Sequence, residues 1–413
     1  MRIVRVLLVN KFFHPRAGAE TSFLQTRRLL LDRGHEVIDF AMQHDANLPS
    51  PYEAFFAPRR SYEPNGAISK RAIDAASSVY SQAARGALSK LLDAHRPDVA
   101  HLHNIYHQLT LSIVDELAKR RIPTVLTMHD WKIVCPAYTL FTEGQPCRRC
   151  PSGNVISAVR HRCVKSSAPA SAIAATEALV ARRRGSYGKV QRFIAPSRFA
   201  IDVAALGGVS KHRVAHIPNF LPDDEMNVEG PRDDAGPRLV YAGRLEETKG
   251  VRNLLEAFDR VSVPATLRIA GRGPLETEVR AAAARDPRVS YLGVLPREKL
   301  YEELEAGRAV VLPSLFEDNG PLIILEAQAR AKAMIVTNRG GPPEFVRHEQ
   351  TGLVVDPVRV PDLTAAMERL ANDRALATRF GANAQQDVRR HHSATRHYEL
   401  LNKVYEDARL EIA

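Results

Sequence analysis

Residues Val310 to Lys332 read VVLPSLFEDNGPLIILEAQARAK. An unbroken apolar stretch from Ala309 to Leu312 stops at Pro313. A polar loop then carries Glu317, Asp318 and Asn319, and a second apolar-rich stretch opens at Gly320 or Pro321. A short apolar run with no polar alternation suits a strand covered on both faces, which is the condition of a parallel sheet. The spacing beyond the loop predicts a helix that buries Leu322, Ile323, Leu325 and Ala329, with proline at its start, where the lost amide had no intrahelical partner. Strand, loop and helix in this order leave open amides and the positive end of a helix dipole at the carboxyl edge of a sheet, a place for phosphate. Asp318 stands before that turn and Glu326 about two turns in, so the two carboxylates can hold hydroxyls on either side of a diphosphate. An ordinary strand, loop and helix with a surface acid and a capping asparagine would carry the same residues.

The 413 residues are too many for one compact core, and two domains are expected. Val4 to Val9 reads as an apolar strand, Ala19 to Arg33 as a helix stopped by Gly34, and His35 to Ala41 as the next strand, a parallel βαβ unit. Further strands are expected at Asp98 to His103, Thr124 to Met128 and Gln191 to Pro196, and Ser69 to Ala94 carries a basic amphipathic helical pattern. The Pro-rich, aromatic stretch 42–68 fits no repeating element and suggests a functional loop. A Pro-, Gly- and Asp-rich linker, MNVEGPRDDAGP, follows Glu225. A second series then begins, with strands at Leu239 to Ala242, Thr266 to Ala270, Val289 to Gly293, Ala333 to Thr337 and Thr351 to Pro357, and a helical tail from Val360. The chain is therefore expected to be α/β, with two facing Rossmann-like doubly wound domains and a cleft between them. The expected bounds are 1–220 with a Cys-rich insert at 135–163, 221–395, and a final helix at 396–413.

Charge is unevenly spread. Residues 1–220 hold 31 Lys and Arg against 16 Asp and Glu, whereas the rest hold 27 against 31. The first half is thus expected to face something anionic, either a membrane surface or a phosphorylated acceptor. Nucleic acid is not expected, because the basic clusters lack interleaved aromatics and any recognition motif. No apolar run approaches the roughly 18 residues that span a bilayer, and MRIVRVLLVN enters a strand without a cleavage site. The reading is cytoplasmic, with peripheral attachment at the inner face of the membrane.

All four cysteines, Cys135, Cys147, Cys150 and Cys163, fall in the pattern C-x11-C-x2-C-x12-C. In a cytosolic chain such a quartet suggests a closed structural zinc site. Two disulfides, or thiols that never meet, are the alternatives. His103 and His129 each end an expected strand, at the edge where α/β proteins bind ligands.

Several ordered motifs across nearly the whole chain resemble the retaining glycosyltransferases of family 4, or group 1, which have the GT-B fold. They are FEDNGPLIILEA, GRLEETKG (Gly243 to Gly250), HPRAGAET, His129-Asp130 after a strand, and NRGGPPEFV. A cysteine quartet after HDWKIVCP is similar to a subgroup that builds surface polysaccharides. The resemblance implies that Asp318, where the family usually has Glu, and His129 hold the donor sugar, that Arg244 and Lys249 bind its diphosphate, and that Glu326 binds the ribose. It further implies that Gly18, Glu20, His103, Gly271, Gly293, Asn319, Gly320, Pro321 and Leu322 line the substrates, and that the last helix returns to the first domain. The implied reaction moves a sugar from a UDP- or GDP-sugar donor to a lipid-linked or polysaccharide-precursor saccharide. No catalytic metal is expected, since the chain has no Asp-x-Asp triplet and cations of the protein can neutralise the diphosphate. The alternatives are an epimerase or phosphorylase of the same fold, or a non-catalytic binder marked by Asp318.

Overall fold

The structure, a computed structural model, describes residues 3–60, 68–226 and 236–412. The linker stretch 227–235 and residues 61–67 of the expected loop lie outside the described residues. The chain forms two compact units. The first comprises Met1–Leu140, Arg148–Pro218 and His397–Ala413; the second comprises Phe141–Cys147 and Asn219–Arg396.

In the first unit, β1 (Arg5–Val9), β2 (Glu36–Phe40), β3 (Val99–Leu102) and β4 (Thr124–Thr127) precede a small antiparallel hairpin, β5 (Phe141–Thr142) and β6 (Gln145–Pro146), which groups with the second unit. β7 (Arg192–Ala195) and β8 (Val214–His216) complete a parallel sheet in the order β2-β1-β3-β4-β7-β8. Side chains alternate across each strand, so Leu7 and Val9 join one apolar cluster while Val6 and Leu8 join the other. Both faces are therefore covered, which is why these strands read as unbroken apolar runs. Of the expected functional loop, residues 42–60 return to the sheet, where Ala57 N–H donates to Ala41 O at 2.9 Å.

The pattern over Ser69 to Ala94 is two helices, Ile68–Val79 and Gln82–Ala94, instead of one. Ser81 causes the break. Its hydroxyl caps the second helix by accepting from Ala84 N–H at 3.0 Å, and its own N–H donates to Thr110 Oγ1 at 3.0 Å.

The last helix, Ala394–Leu410, packs onto the first sheet through Leu401, Val404, Tyr405 and Ala408, beside Val6 and Leu8. Two polar anchors fix it: Tyr398 Oη lies 2.8 Å from His35 Nε2, and Tyr405 Oη lies 2.8 Å from His101 Nδ1.

The second unit holds β9 (Arg238–Ala242), β10 (Thr266–Ala270), β11 (Val289–Gly293), β12 (Ala309–Leu312), β13 (Ala333–Thr337) and β14 (Gly352–Val355). They form a parallel sheet in the order β11-β10-β9-β12-β13-β14. Winding starts at β9 and runs outward in both directions, so the order reverses between β9 and β12. Ligands of open α/β sheets bind outside the carboxyl ends of the strands at such a point. In the first unit the corresponding point lies between β1 and β3.

Leu401 is fully buried between the last helix and the first sheet. Leu401→Ala should lower stability by about 2–5 kcal/mol, read as a fall in the urea midpoint of the first unit's transition; an unchanged midpoint would show that the helix does not carry that core.

Candidate functional site

The second unit brings Arg244, Lys249 and Asp318, all expected, to the β9/β12 switch point. After β9 the chain turns through Gly243 to Gly250 and lies directly on the end of β12. Gly250 has φ +70°, and a Cβ there would overlap the carbonyl oxygen of Pro313. Thr248 O accepts from Leu315 N–H at 2.9 Å and from Phe316 N–H at 3.2 Å. From the other side, Gly340 (φ +69°) leaves its Cβ space to the backbone of Asp318, and Gly341 N–H donates to Asp318 O at 2.8 Å. With three loops locked together, Lys249 Nζ pairs with Asp318 Oδ2. Ser314 Oγ donates to the same oxygen at 3.3 Å, and the ammonium stands 4.7 Å from the centre of the Phe316 ring. Arg244 is turned to Glu246 at 2.8 Å, with its side chain half exposed.

The signature helix spans Leu322–Ala329 and starts later than expected, because Pro321 (φ −63°, ψ 122°) is extended and acts as the N-cap. Glu326 is consequently one turn into the helix. Ile324 is fully buried, and Ile323, expected in the core, is half-buried. Gly320 O accepts from Asn219 Nδ2 at 2.7 Å, and Asn319 is buried beside it. The amides of Leu322 and Ile323 belong to the first turn, which has no intrahelical acceptor.

Glu326 is buried, and its Oε1 lies 3.4 Å from both Tyr301 Oη and Arg297 Nη2. Tyr301 Oη also donates to Glu225 Oε2 at 2.8 Å, Arg297 pairs with Glu225, and the Arg330 guanidinium stacks 3.3 Å from the Tyr301 ring centre. Burial pushes the Glu326 carboxyl above its ordinary range, and Arg297 opposes this. Glu225, Arg297 and Tyr301 were not expected from the sequence; the first lies just before the linker, and the others belong to the helix Arg297–Ala306. Farther along the sheet, Gly271 N–H donates to Gly293 O at 2.7 Å, which joins the loops after β10 and β11.

The first unit gathers Lys11 after β1, His103 after β3, and His129 and Asp130 after β4. His103 Nδ1 and His129 Nε2 are 2.8 Å apart, with the rings stacked at 22°. Burial depresses the His129 pKa to about 4, with Lys11 acting in the same direction, so the ring is uncharged at neutral pH. Burial also lowers Lys11, opposed by Asp130 and Glu20, and raises Asp130. Glu20 is buried in the first turn of the helix Gly18–Asp32. A Cβ at Gly18 would meet nothing within 4 Å, so packing does not demand glycine there.

The structure does not support the zinc expectation. Among the described residues no group of three or more His, Cys, Asp or Glu is placed to hold a metal ion. None of Cys135, Cys147, Cys150 and Cys163 is in a disulfide. Burial pushes the Cys135 thiol up, and Cys163 adds to it. Cys147 sits next to the β5–β6 hairpin and groups with the second unit, whereas the other three belong to the first.

Gly250→Ala would add a Cβ where Pro313 stands, at a positive φ. We expect a stability loss of about 1–3 kcal/mol, read as a fall in the urea midpoint of the second unit's transition. An unchanged midpoint would show that the contact between the loops after β9 and β12 is not tight.

Comparison with known proteins bears on this geometry. The pattern of Glycosyltransferase Family 4 matches residues 16–225, just over half of the chain, and that of Glycosyl transferases group 1 matches residues 223–387. An alpha-D-kanosaminyltransferase of Streptomyces kanamyceticus is 34% identical over 158 residues, 37% of this chain and 40% of that protein. A glycogen synthase of Mycobacterium tuberculosis is 29% identical over 272 residues, 64% of each. The matched stretch is thus less than two thirds of either relative. The crystal structure of Anabaena HepE in complex with UDP and glucose has a TM-score of 0.65 at 15% identity, covering 98% of this chain and 99% of that one. This likeness shows the fold, and two parallel-sheet α/β units are what the GT-B fold contains. The chain belongs to the group 1 glycosyltransferases, family 4.

Proposed function

We propose that the protein transfers a sugar, with retention of configuration, from a nucleoside diphosphate donor to a saccharide acceptor. The observation that carries this reading is the Lys249–Asp318 pair at the switch point of the second sheet, beside the first turn of the Leu322–Ala329 helix. UDP and glucose are the molecules bound in the HepE crystal structure, which supports a UDP-sugar, with a GDP-sugar as the other donor class.

As the glycosidic bond of the donor breaks, negative charge grows on the departing diphosphate. Lys249, Arg244 and the amides of Leu322 and Ile323 are assigned to that charge, because fixed cations and dipoles need no rearrangement as it develops. Asp318 is assigned a hydroxyl of the donor sugar and Glu326 a hydroxyl of the ribose. Gly271 and Gly293 are assigned to the base, which backbone groups can contact. His129, uncharged at neutral pH, is assigned a sugar hydroxyl. With cations of the protein on the diphosphate, no catalytic metal is needed.

Arg244→Ala and Lys249→Ala should each lower turnover by about 100-fold or more, roughly 2.7–4 kcal/mol, with unchanged circular dichroism. Wild-type turnover in both would sink the assignment. A panel of nucleotide-sugars, scored for free nucleoside diphosphate released only when acceptor is added, separates transfer from epimerisation and phosphorolysis.

The basic balance of residues 1–220 supports an acceptor presented at an anionic surface, such as a lipid-linked saccharide on the inner leaflet. No helix among the described residues is long and apolar enough to cross a membrane, so attachment would be peripheral. Sedimentation with anionic vesicles should be strong at low salt and lost at high salt, as screening requires. Absence of binding at low salt would point to an acceptor free in solution.

A further inference from the structure

We infer that His103 is a positioning residue that holds the proton of His129 on Nδ1, so that His129 meets its ligand as a hydrogen-bond donor. This rests on the proposed role of His129, but the placement of the proton is a property of the first unit alone.

His103 Nδ1 and His129 Nε2 lie 2.8 Å apart, a distance at which two uncharged imidazoles share one hydrogen. Which ring supplies it follows from the far side of His103. That ring is 2% exposed, and its Nε2 is buried without a hydrogen-bond partner. Were the hydrogen on Nε2, a buried N–H would have lost its water with nothing in return, an arrangement that costs free energy and that folded chains seldom keep. With the hydrogen on Nδ1, only a lone pair is left against apolar neighbours. His103 Nδ1–H therefore donates and His129 Nε2 accepts. A neutral imidazole carries one N–H, so that of His129 is on Nδ1.

The surroundings hold both rings uncharged and His103 in place. His101 lies against His103, tilted by 36° with ring centres 4.4 Å apart, and Phe23 meets it edge-on at 5.5 Å. His101 is itself pinned between Thr127 Oγ1 at 2.7 Å and Tyr405 Oη at 2.8 Å, so the last helix secures the stack. The ionisable groups that act on these rings are Lys11 from the loop after β1, His101, His103 and His129 themselves, and His397 from the last helix; Asp130 follows His129 in the chain. Apart from Asp130, which burial biases towards its neutral form, these neighbours disfavour a second proton. An Nδ1–H can donate to a sugar hydroxyl or to an oxygen gaining negative charge. It cannot take a proton from an acceptor hydroxyl, so His129 is not the general base.

Nitrogen-15 histidine spectra of the full chain at pH 7, read through long-range proton correlations, locate each hydrogen. Wild-type His129 should show a protonated Nδ1 and a bare Nε2; the reverse overturns the inference. His103→Leu should return His129 to the Nε2–H form that free histidine prefers, whereas His103→Asn, which can place an amide N–H where Nδ1–H stood, should restore the native form. An unchanged His129 tautomer in His103→Leu overturns it as well. With the donor found active in the nucleotide-sugar panel, His103→Leu should lower kcat about tenfold, the worth of one ordinary hydrogen bond, with KM within about twofold, and His103→Asn should recover most of it. Full transfer by His129→Ala would overturn the role of His129 in catalysis, while the spectra alone decide where its proton sits.

Discussion

The second unit depends on a close approach of backbones more than on any single side chain. Gly250 lets the loop after β9 rest on Pro313, and Gly340 lets the loop after β13 rest on Asp318. Lys249 and Asp318, 69 residues apart in sequence, meet because those loops cannot lie elsewhere. Each side chain is 16% exposed, so the pair is mostly withdrawn from water. Desolvation of two charges is offset by their attraction only while both are present. In the proposed reaction an anion at Lys249 would replace Asp318 as the partner and leave the carboxylate to hydroxyls.

The first unit solves a different problem with the same topology. Its strand ends at the switch point carry groups that burial keeps near neutrality: His103 and His129 uncharged, Lys11 and Asp130 each biased towards the neutral form. The basic balance of residues 1–220 belongs elsewhere, to side chains such as Arg16, Lys119, Arg121 and Arg183, which are exposed. The exposed charges and the buried polar groups of this unit are therefore separate sets of residues. The former respond to salt and the latter do not, because buried dipoles are little screened.

What could be read from the sequence follows from how local each signal is. β10, β11, β12 and β13 have the expected bounds, since each is a short, mostly apolar run closed by Gly, Pro or a polar turn. The helix after β12 was placed too early because proline is as compatible with an extended cap as with a first helical turn, and ψ at Pro321 decides between them. One amphipathic pattern became two helices because a serine can cap as readily as it can continue a helix. Lys249 and Asp318 were legible as motifs, but their pairing was not. Glu326 was legible too, whereas Tyr301, Arg297 and Glu225 reach it from 25, 29 and 101 positions away and carry no local signature. The cysteine quartet shows the converse, a suggestive spacing for which no metal-holding group of three appears among the described residues.

Asp318 is where the chain departs from the pattern it resembles, and the structure gives that departure a physical meaning. A glutamate would extend the carboxylate by one methylene, about 1.5 Å, and could reach past Lys249. The aspartate cannot recover this reach by a shift of its backbone, because Gly341 N–H holds its carbonyl at 2.8 Å and Gly340 packs against its peptide. Its carboxylate is instead confined among Lys249, Ser314 and the loop itself. The shorter acid gives up reach towards a sugar and gains a tighter hold on the cation. Under the proposed function, a donor hydroxyl would have to approach the carboxylate, because the backbone behind it is held in place.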